Sequence, residues 1–365
     1  MPIRVLICDD SAVMRAMLSD IVSGQPDMEV VGTAADAAAA RELIVSRDPD
    51  VLTLDVEMPR MDGLDFLARL MRLRPMPVVM ISGAAGHDSA ATRRALELGA
   101  VDVLCKPRAH TAEALQIYAA QVGERIRAAY QARPSVTRIA RGGSGGASAR
   151  ASTSSVPAAG AAAPTGRGPA VRMVLIGAST GGTEAIKEVL QALPATMPPI
   201  LLVQHMPEMF TASFARRLDG LCALRVKEAE HGERIVAGTA YLAPGHSHLT
   251  LGRTGAVLQC VLSRGDPVNR HRPSVDVLFR SGAEQLGAGA VAVLLTGMGK
   301  DGALGMLELR HAGAWTIAQD RDSCVVYGMP REAVTLGAAC EVLPLHDIAA
   351  RVMHQAGGAG GNGAG

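Results

Sequence analysis

Short apolar runs alternate with amphipathic stretches along both halves of this chain, and that alternation points to a parallel α/β architecture. In the first half the strand-like runs are Arg4–Cys8, Met28–Gly32, Val51–Leu54, Val78–Ile81 and Val101–Leu104. Helical stretches follow them at Ala12–Ser23, Ala35–Ser46, Gly63–Leu73, Asp88–Leu98 and Thr111–Tyr130. Five strands with five helices predict a flavodoxin-like doubly wound (βα)5 domain, with its chemistry at the C-terminal strand ends. In the second half Val171–Ile176, Pro199–Gln204, Val291–Leu295 and Trp315–Ala318 read as parallel core strands. Thr239–Leu242, Ser247–Leu251 and Ala256–Leu262 read as shorter strands, a hairpin region appended to that sheet. The expected class is α/β throughout, with a doubly wound, mainly parallel second domain.

Between Pro134 and Pro169 the composition shifts to Ala, Gly, Ser, Thr and Pro, with Arg the only charged type. Such a segment cannot bury enough surface to fold and reads as a flexible tether. A chain of 365 residues also exceeds one typical domain. The expected division is a first domain at 1–130, a linker at 131–170, a second domain at 171–355 and a disordered tail at 356–365. Aromatics make up only 2%, so aliphatic side chains must fill the cores. A net charge of +1 supplies no basic field for nucleic acid and no polybasic membrane anchor. No run is long and uncharged enough to span a bilayer, and Asp9 and Asp10 interrupt the first apolar run too early for a signal peptide. Six scattered cysteines without C-x-x-C pairs form neither a disulfide framework nor a zinc site. A cytoplasmic, reduced, monomeric protein is expected.

In the first half Asp9 and Asp10 end one strand, Asp55 another, Ser82 follows a third and Lys106-Pro107 a fourth. Strand ends on one side of a parallel sheet converge, so carboxylates, a hydroxyl and an ammonium meet in one pocket. Clustered carboxylates repel one another, and Mg²⁺ with oxygen ligands relieves that repulsion. An aspartate beside the ion can attack a phosphoryl donor, after which Lys106 and Ser82 hold the new phosphate oxygens. The segments Cys8-Asp9-Asp10-Ser11, Leu54-Asp55-Val56-Glu57-Met58-Pro59-Arg60-Met61-Asp62-Gly63 and Lys106-Pro107 resemble those of a response-regulator receiver domain. The resemblance implies that Asp55 is phosphorylated, that Asp9 and Asp10 hold Mg²⁺, and that the Glu57 carbonyl adds a ligand. Three residues before the lysine, where many receivers carry a switching aromatic, this chain has Val103.

The second half opens on Gly177-Ala178-Ser179-Thr180-Gly181-Gly182 directly after an apolar run. A strand, a Gly-flanked turn and a helix start make a G-x-S-x-G nucleophile elbow. The same residues also suit an ordinary Gly-rich β–α turn or a phosphate cradle. Gln204-His205-Met206-Pro207 and Thr296-Gly297-Met298-Gly299-Lys300-Asp301-Gly302 each follow further strands. Ser179, His205 and Asp301 would then converge as nucleophile, general base and orienting carboxylate. His231, His246, His248 and His271 compete for the base, and Asp301 could simply cap a helix.

Taken with Ala240-Tyr241-Leu242-Ala243-Pro244-Gly245, His271-Arg272-Pro273-Ser274-Val275-Asp276-Val277-Leu278-Phe279 and Cys324-Val325-Val326-Tyr327-Gly328-Met329-Pro330, these motifs resemble the chemotaxis protein-glutamate methylesterases of the CheB family. The resemblance implies hydrolysis of glutamyl methyl esters on methylated chemoreceptors, and deamidation of receptor glutamines, through an acyl-Ser179 intermediate. It implies a chemotaxis histidine kinase as phosphodonor, Mg²⁺ for receiver phosphorylation, and no cofactor for the esterase reaction. The Thr180 and Met298 N–H groups are the oxyanion-hole candidates, with the Thr180 side chain a candidate to orient His205. A DNA-binding regulator fits poorly, for want of basic excess and of a short helical module. A catalytically silent adaptor and a general small-molecule esterase remain open alternatives.

Overall fold

The computed structural model describes residues 2–83, 89–107, 112–132 and 172–357. The first sheet is parallel, in the order β2-β1-β3-β4-β5, with strands β1 (Ile3–Cys8), β2 (Met28–Ala34), β3 (Val51–Asp55), β4 (Val78–Ser82) and β5 (Asp102–Cys105). This is the flavodoxin-like order. Its helices are α1 (Ala12–Ser23), α2 (Ala37–Arg47), α3 (Gly63–Leu73), α4 (Ser89–Glu97) and α5 (Ala112–Gln131). β3 and β4 are buried along their whole length, as expected of strands covered on both faces. Side-chain caps from Ser11, Asp36 and Asp62 start α1, α2 and α3.

The second sheet has seven parallel strands in the order β14-β13-β12-β6-β7-β9-β8. They are β6 (Met173–Ala178), β7 (Ile200–Gln204), β8 (Arg225–Glu228), β9 (Thr239–Leu242), β12 (Ala290–Leu294), β13 (Trp315–Gln319) and β14 (Glu341–Leu343). Side chains alternate across it with period two. Met173 and Leu175 join one core with Val275, Leu278 and Phe279, while Val174 and Ile176 join the other with Ile186, Val189 and Leu190. The chain runs outward from β6 through β7, then returns to build β12, β13 and β14 on the other side. The crevice beside β6 is therefore the topological switch point, where open α/β sheets bind ligands.

The helices of this half are α6 (Gly182–Gln191), α7 (Glu208–Asp219), α8 (Val275–Leu286), α9 (Ala303–His311), α10 (Met329–Thr335) and α11 (Leu345–Gly357). One expectation needs correcting. Thr239–Leu242 is not part of a hairpin but sits inside the parallel sheet, between β7 and β8. Its four residues are all buried, so it behaves as a short core strand. Only β10 (His248–Thr254) and β11 (Val257–Ser263) form the antiparallel hairpin, as a sheet of their own. The expected linker beyond Ala132 and the tail from residue 358 lie outside the described residues, while the end of α11 takes in 356 and 357. Among the described residues no helix is long and apolar enough to cross a membrane.

Gly177 decides how closely α8 can approach the end of β6. A Cβ there would overlap the Val275 side chain, whose β-branched rotamer has little room to yield. The N-terminus of α8 is thereby seated directly over the C-terminal ends of β6 and β12.

Candidate active site

Ser179, His205 and Asp301 follow β6, β7 and β12, three adjacent strands of one sheet. All three are buried, at 4%, 6% and 1% exposure. The elbow is pinned from below. Ser179 N–H donates to Thr296 O at 3.0 Å, Thr296 Oγ1 donates to Thr180 O at 2.9 Å, and Gln204 Nε2 donates to Ser179 O at 2.9 Å. Gly181 turns the chain with φ of 77°, a region where a side chain is disfavoured, and a Cβ there would press on Val325.

Asp301 accepts from five donors. His205 Nε2 lies 2.8 Å from its Oδ2; Asn269 Nδ2 and Ser274 Oγ each donate to Oδ1 at 2.7 Å; the N–H groups of Val275 and Asp276 donate at 2.6 and 3.3 Å. The last two belong to the first turn of α8, where unpaired N–H groups and the helix dipole favour an anion. Burial works the other way, but hydrogen bonds from His205, Asn269 and Ser274 hold the carboxyl well below its ordinary range. An ionised Asp301 sets the His205 tautomer: Nε2 carries the proton, and Nδ1 is left as an acceptor. Nδ1 is buried without a partner among the described residues, and His205 shares with Ser179 the wall of a cavity of about 40 Å³.

The competing histidines are engaged elsewhere. His246 Nδ1 pairs with Ser247 Oγ, His231 Nδ1 accepts from Leu262 N–H, and His248 bridges Asp266 O and Ser274 N–H. His271 differs, because it stacks on His205. Asn269 and Ser274 as partners of Asp301 went unread in sequence. Ser274 stands in the quoted His271–Phe279 motif, but only folding shows that its hydroxyl reaches Asp301. The backbone N–H groups of Thr180 and Met298 make no hydrogen bond among the described residues, and both residues line a cleft of about 360 Å³ with Ser179. The Thr180 side chain does not orient His205. Its hydroxyl is taken by the first half of the chain, donating to Asp102 Oδ2 and accepting from Arg125 Nη1, both at 3.2 Å.

That contact is part of a wider seam. Arg125 on α5 pairs with Asp102 on β5 at 2.6 Å and lines the Ser179 cleft. Glu124 reaches Arg270 at 3.5 Å, Glu97 reaches Arg217 at 3.7 Å, and Cys105 Sγ lies 3.5 Å from Met209 Sδ. Val326, Val325 and Met298 pack on the apolar cluster that contains Ile7, Val101 and Val122. The first half thus forms one wall of the serine cleft.

In that first half, carboxylate oxygens of Asp9, Asp10 and Asp55 lie within 4.8 Å of one another. Lys106 Nζ stands 2.8 Å from Asp55 Oδ2 and 2.9 Å from Asp9 Oδ2. Burial raises the Asp55 pKa to about 6, with Asp9 adding to it and Lys106 opposing. Asp9 Oδ2 is buried and meets the Lys106 ammonium alone, with no other hydrogen-bond donor among the described residues. Three crowded carboxylates facing a single ammonium fit a hard divalent cation, so the residues suit Mg²⁺. Ser82, buried at 4%, ends the adjacent strand β4, and exposed Glu57 follows Asp55 by two residues.

Residues 174–352 match the family model described as CheB methylesterase, and residues 5–116 match the response regulator receiver domain. A protein from Nitrosomonas europaea named protein-glutamate methylesterase/protein-glutamine glutaminase is 56% identical over 359 residues, 98% of each chain. One of the same name, numbered 3, from Burkholderia lata is 55% identical over 96% of this chain and 95% of that one. The crystal structure of a Thermotoga maritima CheB methylesterase catalytic domain superposes with a TM-score of 0.50 at 40% identity, covering 51% of this chain and 99% of that chain.

Asp301 yields a prediction about stability and pH. Its folded pKa lies below its unfolded value of about 3.9, so its ionised form favours the fold above that pH and the benefit fades as pH falls below it. Asp301→Asn should therefore be less stable in urea titrations from pH 8 to about 5, by about 1–3 kcal/mol, because the buried donors around it lose a charged acceptor. The deficit should narrow below about pH 4.

Proposed function

The chain belongs to the CheB methylesterase family, an enzyme of the protein-glutamate methylesterase and protein-glutamine glutaminase class behind a receiver domain, and we propose that Ser179, His205 and Asp301 perform its reaction under the control of Asp55. The observation that carries the reading is a buried His205 with one nitrogen bonded to Asp301 and the other unpartnered among the described residues, its ring lining one small cavity with Ser179. In this mechanism His205 Nδ1 takes the Ser179 proton as Oγ attacks the glutamyl ester carbonyl of a methylated receptor. The oxyanion forms against the N–H groups of Thr180 and Met298, each such donor being worth about 3–4 kcal/mol in comparable sites. Collapse expels the methoxy group, which leaves as methanol with the proton from His205. Water, deprotonated by His205, then attacks acyl-Ser179, and Oγ regains its proton as glutamate is released. A glutamine side chain follows the same path with ammonia as the leaving group.

The receiver acts on this site through the seam. Asp102 and Arg125 sit on the Thr180 hydroxyl, which supports a reading in which the receiver obstructs the approach of a receptor helix to the serine. Asp102 begins β5, and Lys106 follows its end. On phosphorylation of Asp55 by a chemotaxis histidine kinase, Lys106 and Ser82 turn to the phosphoryl oxygens, and Lys106 gives up its clamp on the two carboxylates. Asp9, Asp10, Asp55 and the Glu57 carbonyl would hold Mg²⁺, which when bound neutralises charge on the incoming phosphoryl group. A change of only about 1.4 kcal/mol in docking free energy shifts the closed-to-open ratio tenfold. The same reading places the protein in the cytoplasm, as a monomer that does not insert into the membrane, with no cofactor in the esterase step.

Two sets of measurements test this. Ser179→Ala should abolish methanol release from methylated receptor membranes, and His205→Gln should come close to doing so, while His246→Gln keeps its activity. More than a few per cent residual turnover in Ser179→Ala would end the triad assignment. For the seam, a fragment from Arg172 onward should outpace the unphosphorylated full chain, and Asp55→Asn should stay slow whatever phosphodonor is added. A fragment no faster than the full chain would mean that the receiver recruits or activates instead of covering the cleft.

A further inference from the structure

The loop that enters helix α8 carries a second imidazole that the proposed reaction leaves unused. His271 stacks on His205 with ring centroids 3.8 Å apart and planes 11° from parallel. The surrounding backbone is built to hold it there. Val268 and His271 exchange both backbone hydrogen bonds, at 3.1 and 2.9 Å, and close a turn over Asn269 and Arg270. Those two central residues have φ of 52° and 67°, the succession of positive values that a type I′ turn demands. Asn adopts this conformation readily; Arg does so at a cost, which marks a geometry kept for a purpose. Both flanks are tied down as well. Asn269 bridges Asp276 and Asp301 at 2.7 Å each, and His248 Nε2 donates to Asp266 O while its Nδ1 accepts from Ser274 N–H.

We propose that His271 is a positioning residue for the general base, a neutral aromatic platform that fixes the His205 ring and steadies the imidazolium it becomes. The inference rests on the Ser179–His205–Asp301 reading and adds a part to it. A single hydrogen bond to Asp301 sets one point of the His205 ring but lets the ring roll about that bond. Face contact with His271 removes the roll and holds Nδ1 in one orientation. When the proton passes from Ser179 Oγ to His205 Nδ1, positive charge spreads over a ring lying against an aromatic face. Attraction grows at that moment, so the stack stabilises the transition state more than the ground state. A protonated platform would repel the imidazolium instead. Burial, the His205 ring, Arg125 and Arg270 all work against a charge on His271, outweighing the pull of Asp301.

The test compares His271→Ala, His271→Phe and Ser179→Ala in the full chain, treated with Mg²⁺ and a small-molecule phosphodonor, by methanol release from methylated receptor membranes. His271→Ala should lower kcat about tenfold, the combined scale of a stacking and a cation–π contact, with KM within about twofold. His271→Phe, which keeps the face and has no titrating nitrogen, should recover kcat to within about threefold of the parent chain. If the alanine variant fails to fold, His271→Leu takes its place, filling similar volume without a π face. Full kcat in the alanine or leucine variant, a loss confined to KM, or a phenylalanine variant as slow as alanine would each overturn the platform. Turnover by Ser179→Ala would overturn the triad itself, whereas an inactive Ser179→Ala beside a fully active His271→Ala rejects only the role of His271.

Discussion

Five hydrogen bonds converge on the Asp301 carboxylate, and the geometry of the serine cleft follows from them. A buried carboxylate is costly unless its oxygens are fully engaged. Here α8 contributes two backbone donors from its first turn, and α8 reaches that place because Gly177 presents no side chain to Val275. Ser274 and Asn269 add donors from the segment that leads into the same helix. With the anion so fixed, only one ring nitrogen of His205 has a partner among the described residues, and the other is free for the serine in the proposed reaction. A glycine in β6, the start of α8 and the turn at Asn269-Arg270 therefore serve a single orientation of one imidazole.

The second organising feature is the position of β5. Lys106 follows its end and contacts the phosphoacceptor carboxylates, while Asp102 at its start meets Thr180 beside the nucleophile. One four-residue strand thus connects the two pockets. Val103 is buried at 6% and lines the cavity it shares with Ser179 and His205. With valine here there is no ring to swing between two rotamers. The proposed signal has to travel as movement of β5 and α5, which meet the esterase half through both polar pairs and apolar packing.

Much of this was legible in the chain because strand ends bring distant residues together by rule. Asp9, Asp55 and Lys106, and likewise Ser179, His205 and Asp301, each stand just past an apolar run, and parallel topology gathers such positions. Thr239–Leu242 was misassigned because four residues before a Pro-Gly turn look alike in a hairpin and in a short parallel core strand. Arg225–Glu228 and Glu341–Leu343 went unread because charged three- and four-residue edge strands carry almost no periodicity. Thr180 was misjudged for a different reason. Its hydroxyl partners, Asp102 and Arg125, lie in the other half of the chain and sit on no motif, so only the docked arrangement reveals them. His271 entered as a rival of His205 and stands in the structure as its neighbour.

The central claim is that Ser179 is an activated nucleophile held behind the receiver. The most direct measurement is the rate at which a fluorophosphonate, which phosphonylates activated serines, labels the full chain, with the modified residue located by mass spectrometry. The account predicts a label on Ser179 alone, formed several times faster once Mg²⁺ and a phosphodonor have acted on the receiver. A label on another serine, or a rate on Ser179 that ignores the phosphodonor, would contradict it.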